Sequence, residues 1–426
     1  MSKTLQDYAT LINDTIQSNE INHYITTDNM CQNLGGIDTF KNINIPQGKV
    51  RSFQKDDVLL SNIRLYFRKV YRAKQKGGCS SDVLVFRAKH IDSATLFAIL
   101  SSQIFTDYAC SGSQGSKMPR GNKTHMMDFK IPTINFTIAK IFNSIQNKIE
   151  NNHKINELLH KILELLYEQY FVRFDFLDEN NKPYQTSGGK MKFSKELNRL
   201  IPNDFEVKTL GELVDIFSGY SFQSNTYSNN KNDYILITNK NVQHSLVDLS
   251  ITTNLLFLPK KLPKYCLLEP TNILITLTGH IGRCALVFSK NCILNQRVGV
   301  VLPKEKELNP FYYSLIRNPL FSAILQRNAI GSSQQNLSPI DTLKIQIPFN
   351  HKIIKQYSKT CENIIKLLVS NMQETQTLTA LRDFLLPLLL TQQVKPPNEN
   401  IKTKNKQQLS KLALQFLFLI AEYGAA

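Results

Sequence analysis

The amino-acid sequence contains an internal repeat. Five short segments before residue 133 return in the same order after residue 208. The segments are Thr4-Leu5, 23–30, 57–61, 111–115 and Ile131-Pro132, and their counterparts are Thr209-Leu210, 233–242, 272–276, 331–335 and Ile347-Pro348. The offset between the copies grows from 205 residues at Thr4 to 210 at Tyr24, 215 at Leu60 and 216 at Pro132, as insertions into loops of one copy would produce. Such a repeat predicts two similar structural units, which limits the architecture before any motif is considered.

Composition and charge narrow the class of partner. The chain has 426 residues, a formal charge of +17 and 42% hydrophobic residues, so it can bury real cores and favours a polyanion. A basic protein without such a partner is the alternative. Seven cysteines without a CxxC pair indicate reduced thiols in the cytoplasm. The N-terminus lacks a signal-peptide pattern, and the longest apolar stretches, Phe384–Leu390 and Leu412–Ala421, are too short to span a bilayer. Nucleic acid therefore remains the expected partner, with no membrane role.

Each copy begins with short β-like runs and ends with a long amphipathic helix. The apolar runs at 58–60, 83–86, 273–275 and 298–301 predict buried strands, and 93–100 and 310–316 predict helices between them. The sequence therefore predicts an α+β fold with two tandem globular α/β domains.

Two long helices are predicted from apolar residues that step by three and four. In the first copy the predicted seam is Ile138, Ile141, Ile145, Ile149, Asn152, Ile155, Leu159, Ile162 and Leu166. In the second it is Ile354, Tyr357, Cys361, Ile364, Leu368, Asn371, Thr375, Leu378 and Leu385. Such stepping is typical of a coiled coil, and a polar seam residue fixes its register. Aligning the helices places Asn151 at the position of Asn371. Packed antiparallel against each other, the helices would relate the copies by a pseudo-twofold axis.

These patterns give the domain boundaries. We expect a first globular domain at 1–132, a central helix at 133–176, a linker at 177–208, a second globular domain at 209–348, a C-terminal helix at 349–390 and a tail at 391–426.

Motifs for catalysis are weak. Asn309-Pro310-Phe311-Tyr312 approximates the box that holds a flipped adenine in amino-methyltransferases, but a helix start with Asn309 as cap explains it better. No GxGxxG or GxxxxGK[ST] pattern occurs, and the eight histidines are scattered. We expect no catalytic residue, metal or cofactor in this chain.

The binding signal is a basic, aromatic stretch together with Gly/Ser/Gln loops. Lys and Arg neutralise phosphates, and amide or hydroxyl side chains contact phosphates or base edges. A solvated basic face and simple turn chemistry are the alternatives. The candidate DNA-binding residues are Arg64, Arg68, Lys69, Arg72, Lys74, Lys76, Gln114, Lys117, Arg120, Lys123, Thr278, His280, Arg283, Arg327, Ser332, Ser333, Gln334, Gln335 and Asn336.

Over about residues 1–390 the chain resembles the specificity subunits of type I restriction-modification systems. The resemblance lies in the order and duplication of several motifs. They are Ile201-Pro202 with 205–212, the strands at 57–61 and 272–276, the loop 331–336, the Ile-Pro before each helix, and the helix endings 165–175 and 385–389. The first domain departs from the family by lacking a Trp-type opening, and its loop reads Ser-Gly-Ser-Gln-Gly-Ser instead of a Gln-Asn-Ile form.

The resemblance implies a non-catalytic, DNA-reading subunit. Each domain would read one half of an asymmetric bipartite target in double-stranded DNA, and the helices would hold the two domains apart. The same helices would dock two methyltransferase subunits and, through the complex, restriction-motor subunits. A specificity subunit of a type IIB-like system, a self-contained methyltransferase or restriction enzyme, and a coiled-coil scaffold without a DNA role are the alternatives.

Overall fold

The computed structural model describes residues 3–38, 43–131, 134–228, 230, 233–243, 245–250, 252–329 and 336–390, with the backbone alone at Ser224 and Leu389. The predicted tail at 391–426 and the candidate residues Ser332, Ser333, Gln334 and Gln335 lie outside these ranges. The chain divides into two compact units. Unit 1 comprises Met1–Asn143 and Phe384–Ala426, and unit 2 comprises Ser144–Asp383.

The elements of unit 1 alternate short strands with short helices. The strands are β1 (Lys3–Thr4), β2 (Ala9–Ile12), β3 (Thr15–Gln17), β4 (Tyr24–Ile25), β5 (Lys49–Phe53), β6 (Val58–Ser61), β7 (Val70–Arg72), β8 (Gly77–Cys79), β9 (Val83–Ala88) and β10 (Lys130–Ile131). The helices are α1 (Leu5–Tyr8), α2 (Ser93–Ser101), α3 (Gln103–Ser111), α4 (Lys123–Met127) and α5 (Phe136–Tyr167), which continues into unit 2. Short 3₁₀ turns cover Ser18–Glu20, Leu65–Phe67 and Leu386–Leu389.

Unit 2 repeats this succession and adds a hairpin before it. Its strands are β11 (Met191–Ser194), β12 (Arg199–Pro202), β13 (Glu206–Thr209), β14 (Val214–Ser218), β15 (Tyr227–Ser228), β16 (Tyr234–Ile237), β17 (Thr253–Leu255), β18 (Leu267–Leu268), β19 (Ile273–Thr276), β20 (Cys284–Leu286), β21 (Cys292–Leu294), β22 (Val298–Pro303) and β23 (Gln346–Phe349). Its helices are α6 (Leu210–Leu213), α7 (Asn309–Arg317), α8 (Pro319–Arg327), α9 (Pro339–Leu343) and α10 (His351–Leu385), with a π-turn at Glu168–Val172 and 3₁₀ turns at Ser224–Thr226, Lys264–Cys266 and Lys306–Leu308.

The two units share one sheet topology. In unit 1 a four-stranded antiparallel sheet has the order β2-β9-β6-β7, and in unit 2 the order is β14-β22-β19-β20. Each unit has a second sheet that contains one parallel pair, β4 with β8 or β16 with β21. A two-stranded ladder, β1 with β10 or β13 with β23, joins the start of each repeat to its end. The predicted mixed α/β fold is confirmed, and the strands predicted at 58–60, 83–86, 273–275 and 298–301 lie at the centres of the four-stranded sheets.

The same helix cap opens both repeats. The amide of Thr4 donates to the Asp7 carboxylate at 2.7 Å, and that of Thr209 donates to Glu212 at 2.7 Å. Each threonine thereby forms a capping box around a one-turn helix, α1 or α6. The hydrogen bonds from the threonines lower the pKa of both carboxyl groups. The Thr-Leu pair seen twice in the sequence is therefore a structural start signal.

The segment predicted as a linker is structured in part. The strands β11 and β12 within it form an antiparallel hairpin, and β13 pairs with β23 in unit 2. The polar, glycine-containing composition of 178–192 suggested a linker, but Phe176 stacks on Tyr184 with ring centroids 4.9 Å apart.

Within unit 2 the helices α5 and α10 run antiparallel. Hydrogen bonds pair Gln146 with Arg382, Asn152 with Thr375 and Leu163 with Tyr357, so the partner number falls as the α5 number rises. The pairing also buries an aromatic cluster at the π-turn, where the rings of Phe171 and Tyr357 have centroids 5.2 Å apart. Removing each such side chain from water contributes roughly 2–3 kcal/mol.

A polar cluster lies in the middle of this seam. The Asn152 side-chain amide donates to Glu374 Oε2 at 2.7 Å and to Thr375 Oγ1 at 3.3 Å. The Asn371 amide in turn donates to Asn156 Oδ1 at 3.0 Å. These bonds can form in one register, so the pairing specifies the alignment of the helices.

The predicted α5 seam was wrong in part. Ile155 is 41% exposed, and Ile162 and Ile141 are exposed too, whereas Asn156 and Leu163 are buried. Asn152, which belongs to the predicted seam, contacts Asn371. The prediction followed aliphatic residues, but the buried face includes polar residues whose hydrogen-bond partners lie on α10 and α7. The predicted α10 seam agrees better, since Ile354, Tyr357, Cys361, Leu368 and Thr375 are buried.

A buried histidine connects α5 to α7. The His160 ring nitrogens lie 2.9 Å from the Asn156 carbonyl and 2.8 Å from the Tyr313 hydroxyl. Burial, assisted by the nearby Arg317 charge, lowers the pKa of His160 to about 3. The folded protein therefore holds this imidazole neutral.

Among the described helices, none is long and apolar enough to cross a membrane.

The first prediction concerns the seam. We expect Asn152→Ala to lower the free energy of unfolding by about 1–3 kcal/mol, because it removes the hydrogen bonds that the buried Asn152 amide donates to Asn371, Glu374 and Thr375. The matched control, Ile155→Ala, should cost less than about 0.5 kcal/mol, because this side chain faces solvent. Urea unfolding of the full chain measures both. A larger loss in Ile155→Ala would restore the seam predicted from the sequence.

The second prediction concerns pH. Because the folded pKa of His160 lies below the unfolded value, the unfolded chain alone binds this proton between about pH 3 and 6.5. Stability should therefore fall by about 2 kcal/mol from pH 7 to pH 5 through this group. In His160→Gln this part of the pH dependence should vanish, whereas His280→Gln, at an exposed loop position, should keep it. Equal pH slopes for wild type and His160→Gln in urea unfolding would contradict the assignment.

Candidate nucleic-acid interface

Four loops of unit 1 meet at one end of its sheets. The amide of Asn33 donates to the Phe67 carbonyl at 2.9 Å, and that of Asn62 donates to the Asp82 carbonyl at 2.7 Å. The Arg64 amide donates to the Pro119 carbonyl at 2.9 Å. These contacts join the loops 26–34, 62–69, 80–82 and 112–122, which together we name loop surface 1.

The turn at the centre of loop surface 1 has an unusual backbone. Arg64 and Arg68 flank the 3₁₀ turn with φ values of 51° and 49°, in the left-handed region that residues with a Cβ rarely adopt. Tyr66 between them is exposed. Such strained positions are held by their surroundings and occur often at functional sites.

The predicted basic stretch divides into two groups. Arg68 donates to the Ser101 carbonyl at 2.9 Å, and Lys69 donates to the Thr27 carbonyl at 2.5 Å. Arg72 lies 3.9 Å from the Asp56 carboxylate. These three side chains therefore support their own fold while adding positive charge. Lys74 and Lys76 are exposed on the β7–β8 turn, outside loop surface 1.

The loop 112–122 carries the more accessible candidates. Gln114 and Arg120 exchange amide–carbonyl hydrogen bonds of 2.9 and 2.8 Å, which close a small hairpin containing Gly115 at φ 99°. Gln114 and Lys117 are exposed in it, and Lys123 is exposed at the start of α4. The Arg120 guanidinium lies 3.0 Å from the Asp82 carboxylate. The Arg64 guanidinium lies against the Lys117 carbonyl and 5.9 Å from the Phe67 ring centroid.

Unit 2 forms the same surface from the equivalent loops. The Asn239 amide donates to the Thr278 carbonyl at 2.8 Å, and the Leu277 amide donates to the Arg297 carbonyl at 3.1 Å. Thr278 also forms a β-bridge with Asn336. These contacts join the loops 238–243, 277–283, 295–297 and 336–337, which we name loop surface 2.

The candidates of unit 2 that the structure describes lie on or near this surface. His280 and Asn336 are exposed, and Thr278 is half-buried. The Arg283 guanidinium donates to Gln243 Oε1 at 3.3 Å. Arg327 is exposed at the end of α8. On the same helix, the Ser322 hydroxyl donates to the carbonyl of Gly282 in the loop 277–283. Gly282 has φ 86°, and a Cβ there would lie 2.3 Å from Ser322 Oγ.

Sequence reasoning missed several residues of both surfaces: Thr27, Asp82, Asn239, Lys240, Gln243 and Arg297. The sequence did contain a signal for the first loop of each surface, because that loop is one of the segments that occur in both copies. In both copies an asparagine side chain accepts a hydrogen bond from the backbone amide three residues earlier. Asn29 accepts from Thr26 at 2.8 Å, and Asn241 accepts from Thr238 at 2.9 Å. The 80–82 and 295–297 loops had no such signal, because they differ in chemistry between the copies.

The possible adenine-binding box is structural. The Asn309 side-chain amide donates to the Thr271 carbonyl at 3.0 Å, and Phe311 and Tyr312 are buried. Asn309 is the first residue of α7, and Leu308 caps it, so the expectation that Asn309 is the cap was wrong by one residue.

Over the described ranges, no group of three or more His, Cys, Asp or Glu residues is placed to hold a metal ion.

Comparisons with known proteins give one family. Residues 202–380 match the family model described as the type I restriction modification DNA specificity domain. The type I restriction enzyme MjaVIII specificity subunit of Methanocaldococcus jannaschii is 25% identical over 344 residues, 76% of this chain and 76% of that protein. The MjaIX specificity subunit of the same organism is 23% identical over 303 residues, 69% of this chain and 67% of that protein.

A solved structure has a similar fold. The crystal structure of the type I restriction-modification system S subunit from M. genitalium has a TM-score of 0.57 at 15% identity, covering 92% of this chain and 96% of that chain. The family model, the relatives and the repeated topology agree with the resemblance seen in the motifs. Residues 202–380 therefore match a type I restriction modification DNA specificity domain, and the chain as a whole is similar to specificity subunits of type I restriction-modification systems.

Proposed function

We propose that this chain selects the DNA sequence on which a type I restriction-modification complex acts. Loop surfaces 1 and 2 would each contact one half of a bipartite target in double-stranded DNA. The observation that supports this most is the construction of one four-loop surface twice with different exposed side chains. Tyr66 and Lys117 occupy the first surface, whereas Lys240, His280 and Arg297 occupy the second. Different side chains favour different base edges, so the half-sites should differ.

The long helices would separate the two recognition domains as a coiled-coil spacer. α5 has 32 residues, which at about 1.5 Å each make roughly 48 Å. One turn of DNA covers about 34–36 Å, so a rigid helix of this size suits two half-sites about one turn apart. The polar cluster around Asn152 and Asn371 supports this role, because a spacer needs a fixed register.

A second apolar stripe on α5 supports partner docking. Ile155, Leu158, Ile162 and Leu165 step by three and four residues and are exposed. At about 100° per residue they lie roughly opposite the face that contacts α10. An exposed amphipathic stripe of this kind fits a partner helix. We assign it to a methyltransferase subunit, two of which would bind the chain and recruit the restriction-motor subunits.

Catalysis and S-adenosylmethionine binding would then belong to the partners. The buried Phe311 and Tyr312 speak against an adenine pocket in this chain. The named relatives are type I subunits, so a type IIB-like system is not favoured.

The third prediction concerns phosphate contacts. In the specificity–methyltransferase complex, Lys240→Ala with Arg297→Ala should weaken binding to every duplex. The slope of log affinity against log salt should fall by about one for each lost phosphate contact. The control variant carries Lys260→Ala with Lys261→Ala. These two lysines of unit 2 are exposed and lie outside loop surface 2. Titration of labelled duplexes at several salt concentrations measures both. Equal losses in the two variants would remove loop surface 2 from the interface.

The fourth prediction concerns target architecture. Co-expression with the methyltransferase subunit should methylate adenines within a bipartite, asymmetric motif, mapped across a genome by sequencing that detects modified bases. A chimera whose residues 209–348 come from another family member should change one half of that motif and leave the other. A contiguous palindromic motif, or a change in both halves, would refute the two-surface assignment.

A further inference from the structure

The hairpin formed by β11 and β12 has no part in the loop surfaces or in the helix seam. Its register pairs Phe193 with Leu200, so the two side chains are cross-strand neighbours on one face. Phe193 is 59% exposed and Leu200 is 53% exposed. Two large apolar side chains held side by side in solvent mark an interaction surface more strongly than scattered ones do.

The hairpin is held firmly on unit 2. On its inner side Ile201 and Ser194 are buried, and the Ser194 hydroxyl donates to Glu196 at 2.8 Å in the turn. The Arg199 guanidinium donates to the Val172 carbonyl at 2.9 Å and lies 4.8 Å from the Phe174 ring centroid. A partner would therefore meet a preformed surface, with little ordering cost.

Positive charge surrounds the apolar pair. Lys190, Lys192 and Lys195 are all exposed on the hairpin or beside it, where the exposed carboxylates are those of Glu196 and Asp204. The Lys192 ammonium donates to the Asn203 carbonyl at 2.8 Å, which fixes one of these charges beside the strands. The complementary surface is an apolar pocket rimmed by carboxylates.

The position of the hairpin identifies the occupant. The exposed α5 stripe ends at Leu165, and the π-turn Glu168–Val172 follows it. Seven residues from Leu165 to Val172 cover about 10 Å at helical rise. Val172 is the residue whose carbonyl receives Arg199 of the hairpin. The hairpin is therefore anchored within about 10 Å of the end of the stripe, within reach of one partner that covers both.

We propose that the hairpin 191–202 is a second docking contact for the methyltransferase subunit that binds the α5 stripe. This inference rests on the proposed function. Phe193 and Leu200 enter an apolar pocket of that subunit, and the three lysines face carboxylates at its rim. One methyltransferase copy thereby gains a contact beyond the helices, and it should bind more tightly than a copy that uses helix contacts alone.

The experiment titrates the purified methyltransferase subunit onto the full chain and measures affinity and stoichiometry by sedimentation. Phe193→Ser with Leu200→Ser should weaken one binding step at least about tenfold, as loss of a central apolar contact does. Lys190→Glu with Lys195→Glu should weaken the same step, and more so at low salt. Leu256→Ser with Phe257→Ser is the matched control, because these residues of unit 2 are 62% and 53% exposed but lie outside the hairpin.

Two further measurements separate the outcomes. Thermal unfolding should give the same midpoint for the hairpin variant and the control, because all four side chains are exposed. DNA affinity at saturating methyltransferase should be unchanged in the hairpin variant. The proposal is overturned if the hairpin variant binds the methyltransferase with wild-type affinity, or if the control variant loses as much affinity for the methyltransferase. It is also overturned if the hairpin variant loses DNA affinity at saturating methyltransferase.

A variant of the stripe itself, Ile162→Ser with Leu165→Ser, tests the underlying function. If the stripe variant loses methyltransferase binding and the hairpin variant does not, the second contact is refuted while the docking role of α5 stands. If the wild-type chain binds no methyltransferase, the proposed function fails as well.

Discussion

The hydrogen-bonded seam between α5 and α10 is the constraint on which the rest of unit 2 depends. Apolar side chains alone would allow the helices to slip by a turn, about 5.4 Å, at little cost. Asn152 prevents this, because its amide reaches Glu374 and Thr375 in one alignment. The same alignment places Leu163 and Tyr357 together at the aromatic cluster, and through the π-turn it fixes the point where Arg199 anchors the hairpin. Loop surface 2 gains such a support, because loops gain precision from the rigid elements that carry them.

Much of the fold could be predicted because the chain repeats itself. Each copy provided a second view of the same strands, so the runs at 58–60 and 273–275 could be aligned before either was assigned to a sheet. The α5 seam could not be found in this way. A buried asparagine or histidine looks like a surface residue in a single sequence. Whether Asn156 or Ile155 faces the partner depends on hydrogen-bond partners more than 200 residues away.

The composition of loop surfaces 1 and 2 could be predicted from the sequence, but the contacts of their side chains could not. The sequence indicates where basic residues concentrate, but it does not distinguish an arginine that faces solvent from one that holds a carbonyl. Arg68 has its guanidinium on Ser101. Residues such as Asn239 and Arg297 reach the surface through strand order, because the parallel pairing of β16 with β21 brings their loops together. That pairing connects segments about 57 residues apart, which local patterns do not reveal.

The differences between the two surfaces have a physical consequence for specificity. In loop surface 1 the third loop carries Asp82, whose carboxylate is held by Arg120 at 3.0 Å. In loop surface 2 the equivalent loop carries the exposed Arg297. A carboxylate accepts hydrogen bonds and repels phosphates, so in the proposed complex it suits a base edge with an amino group, as in cytosine. An arginine attracts phosphates and pairs with guanine. The shared backbone thus places opposite charges at one position of two similar surfaces, as the proposed reading of two different half-sites requires.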